Sequence, residues 1–384
     1  MNILVITPIY YIKDRKNLFH DSSAIHYLIR PWAKEHNVTV INIYSQPIGK
    51  IIRYKSREER NYYRKGYHFF ADGVKVHMCE IQRFYKQKAI LDDRQTKRVL
   101  DFIDSVISEE NKPDVIVAHM PTFCLNVLER IYPSVKKMAV LHQTDVINCR
   151  EDISKVEKIN LLFSKIFTRS NAIRKFCRKQ SIRAEEEIVY SGVPINIKEQ
   201  GRKEKPDKYR IIYVGKLIKR KNVDKCILCL QDLSLKVSFD IYGSGPELPY
   251  LQKLAQESRC SANITFHGQV AHEKIADIME NGDIFIMTSV GETFGLVYLE
   301  AMAFGNIVIG SRNEGIDGVI VDGENGFLVE PYNIEELVNC LESIFRMDKE
   351  KYAEITQNAN LTAKKYTEEK MGRKYLSMIR SCIK

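Results

Sequence analysis

Several things are missing from this 384-residue sequence, and each absence narrows what it can be. No apolar run approaches the roughly 18 residues of a bilayer-crossing helix, so no segment reads as a membrane span. The opening MNILVITPIYYIKD is apolar but lacks a basic leader and a small-residue cleavage site, and it reads as a buried first strand. A cytoplasmic location is the expectation that follows. No Asp-x-Asp triplet occurs, so nothing points to a metal held between carboxylates and a diphosphate. The nine cysteines have no pairing rhythm. Their one close pair, Cys226 and Cys229 in DKCILCLQDL, has no second pair or nearby histidine; it reads as helix packing in a reducing compartment, not as a zinc site.

What is present suits a globular protein of two domains. The composition is 44% hydrophobic and 28% charged, and the length exceeds one ordinary core. The net charge of +10 is concentrated in KIIRYKSREERNYYRKG and QRFYKQKAILDDRQTKR, both interleaved with aromatics. Such stretches are solvated helical faces, nucleic-acid surfaces or contacts for anionic lipid headgroups. No recognised nucleic-acid motif accompanies them, so nucleic acid is not expected as a partner.

Apolar, strand-like runs alternate with helical patterns in both halves. ILVITPIY, VTVINIY, DVIVAHM, KMAVLH, KIFTRS and EIVYSGV mark the first; RIIYVGKL, VSFDIYGSG, ITFHGQV, DIFIMTS, IVIGS and GFLVEP mark the second. This pattern predicts an α/β protein of two doubly wound, Rossmann-like domains, with residues 1–193 and 204–365 joined by the charged connector after SGVPINIKEQ. The tail, 366–384, has helical spacing and could cross back to the first domain. Ligands of such folds bind at the carboxyl ends of the strands.

The loops at those ends carry chemistry. In GKLIKRKN, Gly215 permits a tight turn, and Lys216 and Lys221 can place two ammonium groups beside helix amides, a site for a diphosphate. In IYGSGPELPYLQKLA, Gly243 and Gly245 allow close backbone approach and Pro246 suits a first helical turn. In ETFGLVYLEAMAFG, Glu292 lies in a loop before a helix expected to begin near Phe294 or Gly295, with free N–H groups directed at the same anion. Glu300 follows eight residues later, about 2.2 helical turns, on the same face but deeper; its two oxygens could hold a vicinal diol such as a ribose. Ala301, Ala303 and Gly305 let that helix pack closely.

The chain resembles GT-B glycosyltransferases of the retaining, nucleotide-sugar-dependent GT4 group. YVGKLIKRKN is similar to the family's phosphate loop, IYGSGPE to its GxGPE turn, ITFHGQV to its nucleotide-base loop and ETFGLVYLEAMAFG to its E-x7-E motif, trailed by DGENGFLVEP. The first half matches more thinly, with His142 in AVLHQTDV, Ser170 in KIFTRSNAIRKF, and Gly192 and Val193 in EIVYSGVPI. There are departures. The usual Gly-Gly turn after the first strand is replaced by a stretch in which Asp21, Ser22 and Ser23 could cap a helix; Lys216 stands for an arginine; the family's glutamate after the last Gly-rich loop is absent from NEGIDGVI, a variant similar to some transferases that build surface polysaccharides.

The resemblance implies two domains facing across a cleft and transfer of a sugar, with retention, from a nucleoside diphosphate sugar (a UDP-sugar by preference) to a hydroxyl of a glycan or lipid-linked acceptor. Lys216, Lys221 and the helix N-terminus would stabilise the departing diphosphate, Glu292 would orient the sugar, Glu300 the ribose, and His142 would contact sugar or acceptor. Gly215, Gly243, Gly245, Pro246, Val270, Phe294, Gly295 and Leu296 would line the donor site. No cofactor or metal is expected, and peripheral attachment to an anionic membrane is an expectation from the basic stretches. Alternatives are a sugar-nucleotide-binding protein without transferase activity and a GT-B epimerase.

Overall fold

The computed structural model describes residues 1–10, 23–48, 68–84, 91–194, 203–260 and 263–383. The whole first basic stretch, Lys50 to Gly66, residues 85–90 of the second, and Asp21 and Ser22 lie outside the described residues. The chain divides into two compact units. The first holds Met1–Arg169, Ile173–Gly192 and Glu368–Lys384; the second holds Ser170–Ala172 and Val193–Thr367.

In the first unit, strands β1 (Asn2–Thr7), β2 (Asn37–Ile48), β3 (His68–Ala71), β4 (Val74–Phe84), β5 (Val115–His119), β6 (Lys137–Leu141), β7 (Lys165–Thr168) and β8 (Ala184–Ile188) form one sheet in the order β3-β4-β2-β1-β5-β6-β7-β8. Only β3 and β4 pair antiparallel. Apolar side chains alternate between two cores because successive strand residues point to opposite faces. Leu4 and Ile6 join Ile41, Ile116 and Ala118 on one face, while Ile3 and Val5 join Val38, Val40, Val115 and Val117 on the other.

Two strand expectations change here. The β3–β4 hairpin was not anticipated, although its Asp72-Gly73 corner has φ of 49° and 81°, the two positive values a tight hairpin turn needs. The run EIVYSGV lies mostly beyond β8, which is Ala184–Ile188. β8 is the outermost strand of its sheet, where the exposed glutamates of AEEEI are at home.

The last helix, Glu368–Ile383, belongs to the first unit. It buries Tyr375, Leu376, Met378, Ile379 and Cys382 in the core that contains Ile3, Val5 and Trp32. Trp32 donates its indole N–H to Gly372 O at 2.8 Å, and Arg30 pairs with Glu368 through two nitrogens. A Cβ at Gly372 would stand 2.9 Å from Pro31 Cγ, so the absence of a side chain there sets how closely this helix sits.

The second unit holds β9 (Arg210–Val214), β10 (Ser238–Tyr242), β11 (Ile264–Gly268), β12 (Ile284–Ile286), β13 (Ile307–Ser311) and β14 (Phe327–Val329), in the order β11-β10-β9-β12-β13-β14. All neighbours are parallel. The winding direction reverses between β9 and β12, so the loops after these two strands flank the switch point where such sheets bind ligands. β12 ends three residues before Ser289, the expected end. Met287 N–H still reaches Ile309 O at 3.1 Å, but Thr288 O accepts from the Asn222 side chain at 2.7 Å and leaves the ladder.

Candidate active site

Gly215 opens the loop after β9. Its N–H donates to Tyr242 O at 3.0 Å, Leu217 N–H to Ser244 O at 2.9 Å, and Glu247 N–H to Leu217 O at 3.1 Å, so this loop is laced to the one after β10. A Cβ on Gly243 would lie 1.8 Å from Gly215 O, and one on Gly245 would lie 2.2 Å from Leu217 O. The close approach these two glycines permit is thus to the neighbouring loop. Pro246 is corrected in role: the helix is Leu248–Glu257 with Pro249 in its first turn, and Pro246 occupies the preceding turn, closed by Leu248 N–H to Gly245 O at 3.1 Å. Val270 is half-buried in the loop after β11, whose Gly268 O accepts Gly243 N–H at 2.7 Å.

Residues Lys219–Lys221 form a single tight helical turn, and Asn222 follows in the left-handed region at φ 52°. Asn222 is buried and donates to Thr288 O at 2.7 Å and Pro331 O at 3.1 Å. With Val290 N–H donating to Arg220 O at 2.8 Å, these bonds tie the β9 loop to the β12 loop. The consequence is that Lys221 meets Glu292: its ammonium donates to Glu292 Oε2 and lies 3.3 Å from Met287 Sδ. Arg220 Nη1 reaches the same carboxylate oxygen at 3.4 Å and Gly291 O at 3.3 Å. Lys221 and Glu292 are each 12% exposed. Burial disfavours the Glu292 carboxylate, but Lys221 and Arg220 outweigh it and hold its pKa below the ordinary value.

Lys216 and Lys221 do not act as an equivalent pair. Lys216 is exposed, and among the described residues its ammonium makes no ion pair or hydrogen bond, although its carbonyl accepts from Tyr213 Oη at 2.9 Å; Lys221 is engaged by Glu292. Arg220, which sequence reasoning passed over, is the second cation on Glu292. Glu314 was missed too. In NEGIDGVI, just past the carboxyl end of β13, its Oε2 accepts Glu292 N–H at 3.0 Å. Burial raises the Glu314 pKa, opposed by N–H groups of Gly291 and Glu292 and assisted by the Glu292 charge. The general rule that strand ends bear ligands could have flagged both residues.

The helix after Glu292 begins at Leu296, one or two residues later than expected, because Gly295 stands before it in the left-handed region at φ 83°. Phe294 is buried and Leu296 half-buried; Ala301 and Ala303 are buried, as the close helix packing requires. Glu300 lies within this helix, only 6% exposed. Cys226 and Cys229 are buried free thiols in the helix Val223–Cys229. Among the described residues, no group of three or more His, Cys, Asp or Glu is placed to share a metal ion.

In the first unit, His142 follows β6 and precedes the helix Gln143–Glu151. Its backbone N–H donates to Asp145 Oδ2 at 2.8 Å, while Asp145 N–H goes to the His142 carbonyl at 3.0 Å. Asp145 also accepts Thr122 Oγ1–H at 2.6 Å; burial pushes its pKa up to about 6. The imidazoles of His142 and His119 are 3.0 Å apart, Nε2 to Nδ1, and His119 Nε2 lies 2.8 Å from Tyr375 Oη. Burial holds both histidines well below their ordinary pKa, and the Arg169 guanidinium lowers them further.

Comparison with known proteins now adds to this geometry. Residues 195–362 match the family described as Glycosyl transferases group 1. That match falls within the second unit, which is similar to the family over those residues. The chain is 28% identical over 165 residues to an alpha-D-kanosaminyltransferase of Streptomyces kanamyceticus, covering 42% of each chain. It is 31% identical over 180 residues to an uncharacterized glycosyltransferase of Methanocaldococcus jannaschii, covering 44% of this chain and 46% of that one. The chain thus spans under half the length of these relatives. In three dimensions, the likeness in fold extends over the whole chain. HepE of Anabaena in complex with UDP and glucose matches at TM-score 0.68 and 17% identity over 99% of this chain and 100% of that one. Sucrose-phosphate synthase of Thermosynechococcus elongatus matches at 0.73 and 15% over 99% of both. The fold is the GT-B class.

Proposed function

We propose that this chain is a retaining glycosyltransferase that moves a sugar from a nucleoside diphosphate sugar to a hydroxyl of a glycan or lipid-linked acceptor. The observation that carries the reading is the Lys221–Glu292 ion pair at the switch point between β9 and β12, with Glu300 following on the next helix. An ammonium already held against a carboxylate can turn to a diphosphate, and charge that grows on the leaving group is then met without reorganising water. Lys216 offers a second, exposed ammonium in the same loop. Glu292, released from part of its pairing, orients the transferred sugar; Glu300 holds the ribose.

Positive charge from Lys216, Arg220 and Lys221 makes a divalent metal unnecessary in this scheme, and the donor is a UDP-sugar, a preference supported by the fold neighbour that holds UDP and glucose. Sequence kinship with an alpha-monoglucosyldiacylglycerol synthase of Acholeplasma laidlawii (29% over 166 residues) and the basic first-half stretches support a lipid-linked acceptor at a membrane surface on the cytoplasmic side. A thermal-shift screen of UDP-, GDP- and ADP-sugars tests the reading. A ligand at a hundred times its Kd adds about 2.7 kcal/mol of stability. Stabilisation by a nucleotide sugar followed by transfer to an acceptor supports it; stabilisation with neither transfer nor slow donor hydrolysis favours a binding protein, and conversion of the sugar while still attached to nucleotide favours an epimerase.

A further inference from the structure

The turn that carries Glu314, after β13, is closed on itself. Asp317 Oδ2 accepts Asn313 N–H at 2.6 Å, and Asp317 N–H donates to Glu314 O at 3.0 Å. Asn313 takes the left-handed φ of 60° with which the turn starts. Just before it, Arg312 is tied to β14, its backbone N–H donating to Val329 O at 2.9 Å and its guanidinium to Leu328 O at 2.8 Å. The Glu314 side chain thus projects from a fixed base.

That side chain meets the loop that carries Glu292. Glu314 Oε2 accepts Glu292 N–H at 3.0 Å, and the Gly291 N–H favours the charge on the same carboxylate. Gly315 closes the two loops together: a Cβ there would stand 2.5 Å from Phe294 N and 2.6 Å from Glu292 O. On the other side, Val290 N–H is bound by Arg220 O at 2.8 Å. The segment between needs such holds, because Gly291 at φ 66° and Gly295 at φ 83° flank it and glycines lose the most freedom on ordering. An N–H donated to an ionised carboxylate is among the stronger hydrogen bonds. Where the Glu292 carboxylate points follows from where its backbone is held.

We infer that Glu314 is a positioning residue: its carboxylate holds the Glu292 backbone so that the Glu292 side chain faces Lys221 and the transferred sugar. The sugar rests on the function proposed above; the hold of Glu314 on Glu292 does not. A general base in the same place would differ in one requirement. A positioning side chain needs an acceptor oxygen, which glutamine keeps, whereas a base needs a carboxylate, which glutamine lacks.

The test compares Glu314→Ala, Glu314→Gln and Glu330→Gln, the last removing a carboxylate that pairs with Arg312. Glu314→Ala should lower kcat roughly 10- to 100-fold, the worth of one hydrogen bond to a charged group, with donor KM and UDP affinity unchanged within about twofold. Glu314→Gln should recover kcat to within about fivefold of wild type, since a neutral acceptor is weaker but present. A readout that needs no turnover is the carboxyl ¹³C titration of Glu292, assigned by Glu292→Gln. The Glu292 pKa, low in the wild type through Lys221 and Arg220, should rise in Glu314→Ala as the side chain leaves Lys221, and stay low in the other two variants. Loss of the Glu314 charge alone would lower it further, so the sign decides. A kcat as low in Glu314→Gln as in Glu314→Ala overturns the proposal in favour of a base. A Glu292 pKa that does not rise in Glu314→Ala overturns it outright, as do effects matched by Glu330→Gln. If Glu314→Ala does not fold, Glu314→Asp takes its place: it withdraws the oxygens by one methylene and should show the same kcat loss and pKa rise. If the wild type transfers no sugar, the proposed function fails while the Glu292 titration still judges the hold.

Discussion

Replacing Lys221 by Met keeps the length and bulk of the side chain and removes its charge, so the response isolates the ion pair with Glu292. Both partners are largely buried, and removing one member of a buried pair commonly costs about 3–5 kcal/mol because the other charge is left behind. Arg220 remains 3.4 Å from Glu292 but is 47% exposed, which places the expected loss near the low end, about 3 kcal/mol at pH 7. Glu292→Gln added to Lys221→Met removes the stranded charge and should restore about 2 kcal/mol, a coupling within the range seen for residues in contact. The pH dependence has a defined sign. In the wild type the Glu292 pKa is lowered, so the pair's contribution is present above the ordinary carboxylate value and lost as pH falls through the lower folded value. In Lys221→Met burial prevails, the pKa rises, and acid favours the folded form; the gap between variant and wild type should therefore shrink from pH 7 toward pH 4. Urea unfolding at several pH values measures this, and kcat for Lys221→Met should fall roughly 10²- to 10³-fold, the cost of one group that stabilises developing charge. A stability loss under about 0.5 kcal/mol that does not vary with pH, with an additive double variant, would refute the reasoning.

Glu300→Gln should raise donor KM and leave kcat nearly unchanged if Glu300 holds the ribose equally in ground and transition states; a fall in kcat alone would assign it a role in chemistry. Turnover should survive EDTA, and loss of activity restored by Mn²⁺ would contradict the metal-free scheme. Because His119 and His142 are held neutral, each contributes stability that is present above about pH 6.5 and lost as pH falls, at up to about 1.4 kcal/mol per pH unit, while Asp145, raised to about 6, takes up a proton and offsets part of that loss. Unfolding free energy should decline between pH 7 and 5 and decline less steeply in His119→Gln; equal slopes would show that the pair does not titrate as described.

The sheet of the second unit was readable because each of its six strands is a short apolar run bounded by glycine, asparagine or a charge, as in RIIYVG and IVIGS. The β3–β4 hairpin escaped because its first strand, the four-residue HFFA, is too short to show alternation and leaves only the Asp72-Gly73 corner as a signal. Within the site, Glu292 and Lys221 could be placed in loops at strand ends, yet their direct pairing depends on Asn222 and Val290 locking two loops together, which no local spacing encodes. Gly243 and Gly245 announced a close approach without saying to what, and the answer is the Gly215–Leu217 backbone. Glu314 was not legible because its bond to Glu292 N–H joins two loops 22 residues apart, a tertiary contact that no local pattern marks. Tyr375 and His119 meet only through the return of the last helix, a contact of tertiary origin with no sequence period behind it.

The most direct test of the central claim is calorimetric titration of UDP, with uridine as reference, into the wild type and Lys221→Met. If the loops after β9 and β12 hold the donor diphosphate, UDP should bind the wild type far more tightly than uridine, and Lys221→Met should lose at least tenfold in UDP affinity with uridine binding unchanged, about the 1.5–3 kcal/mol of a hydrogen bond to a charged group. Equal UDP affinity in the two proteins, with Lys221→Met folded, would contradict it.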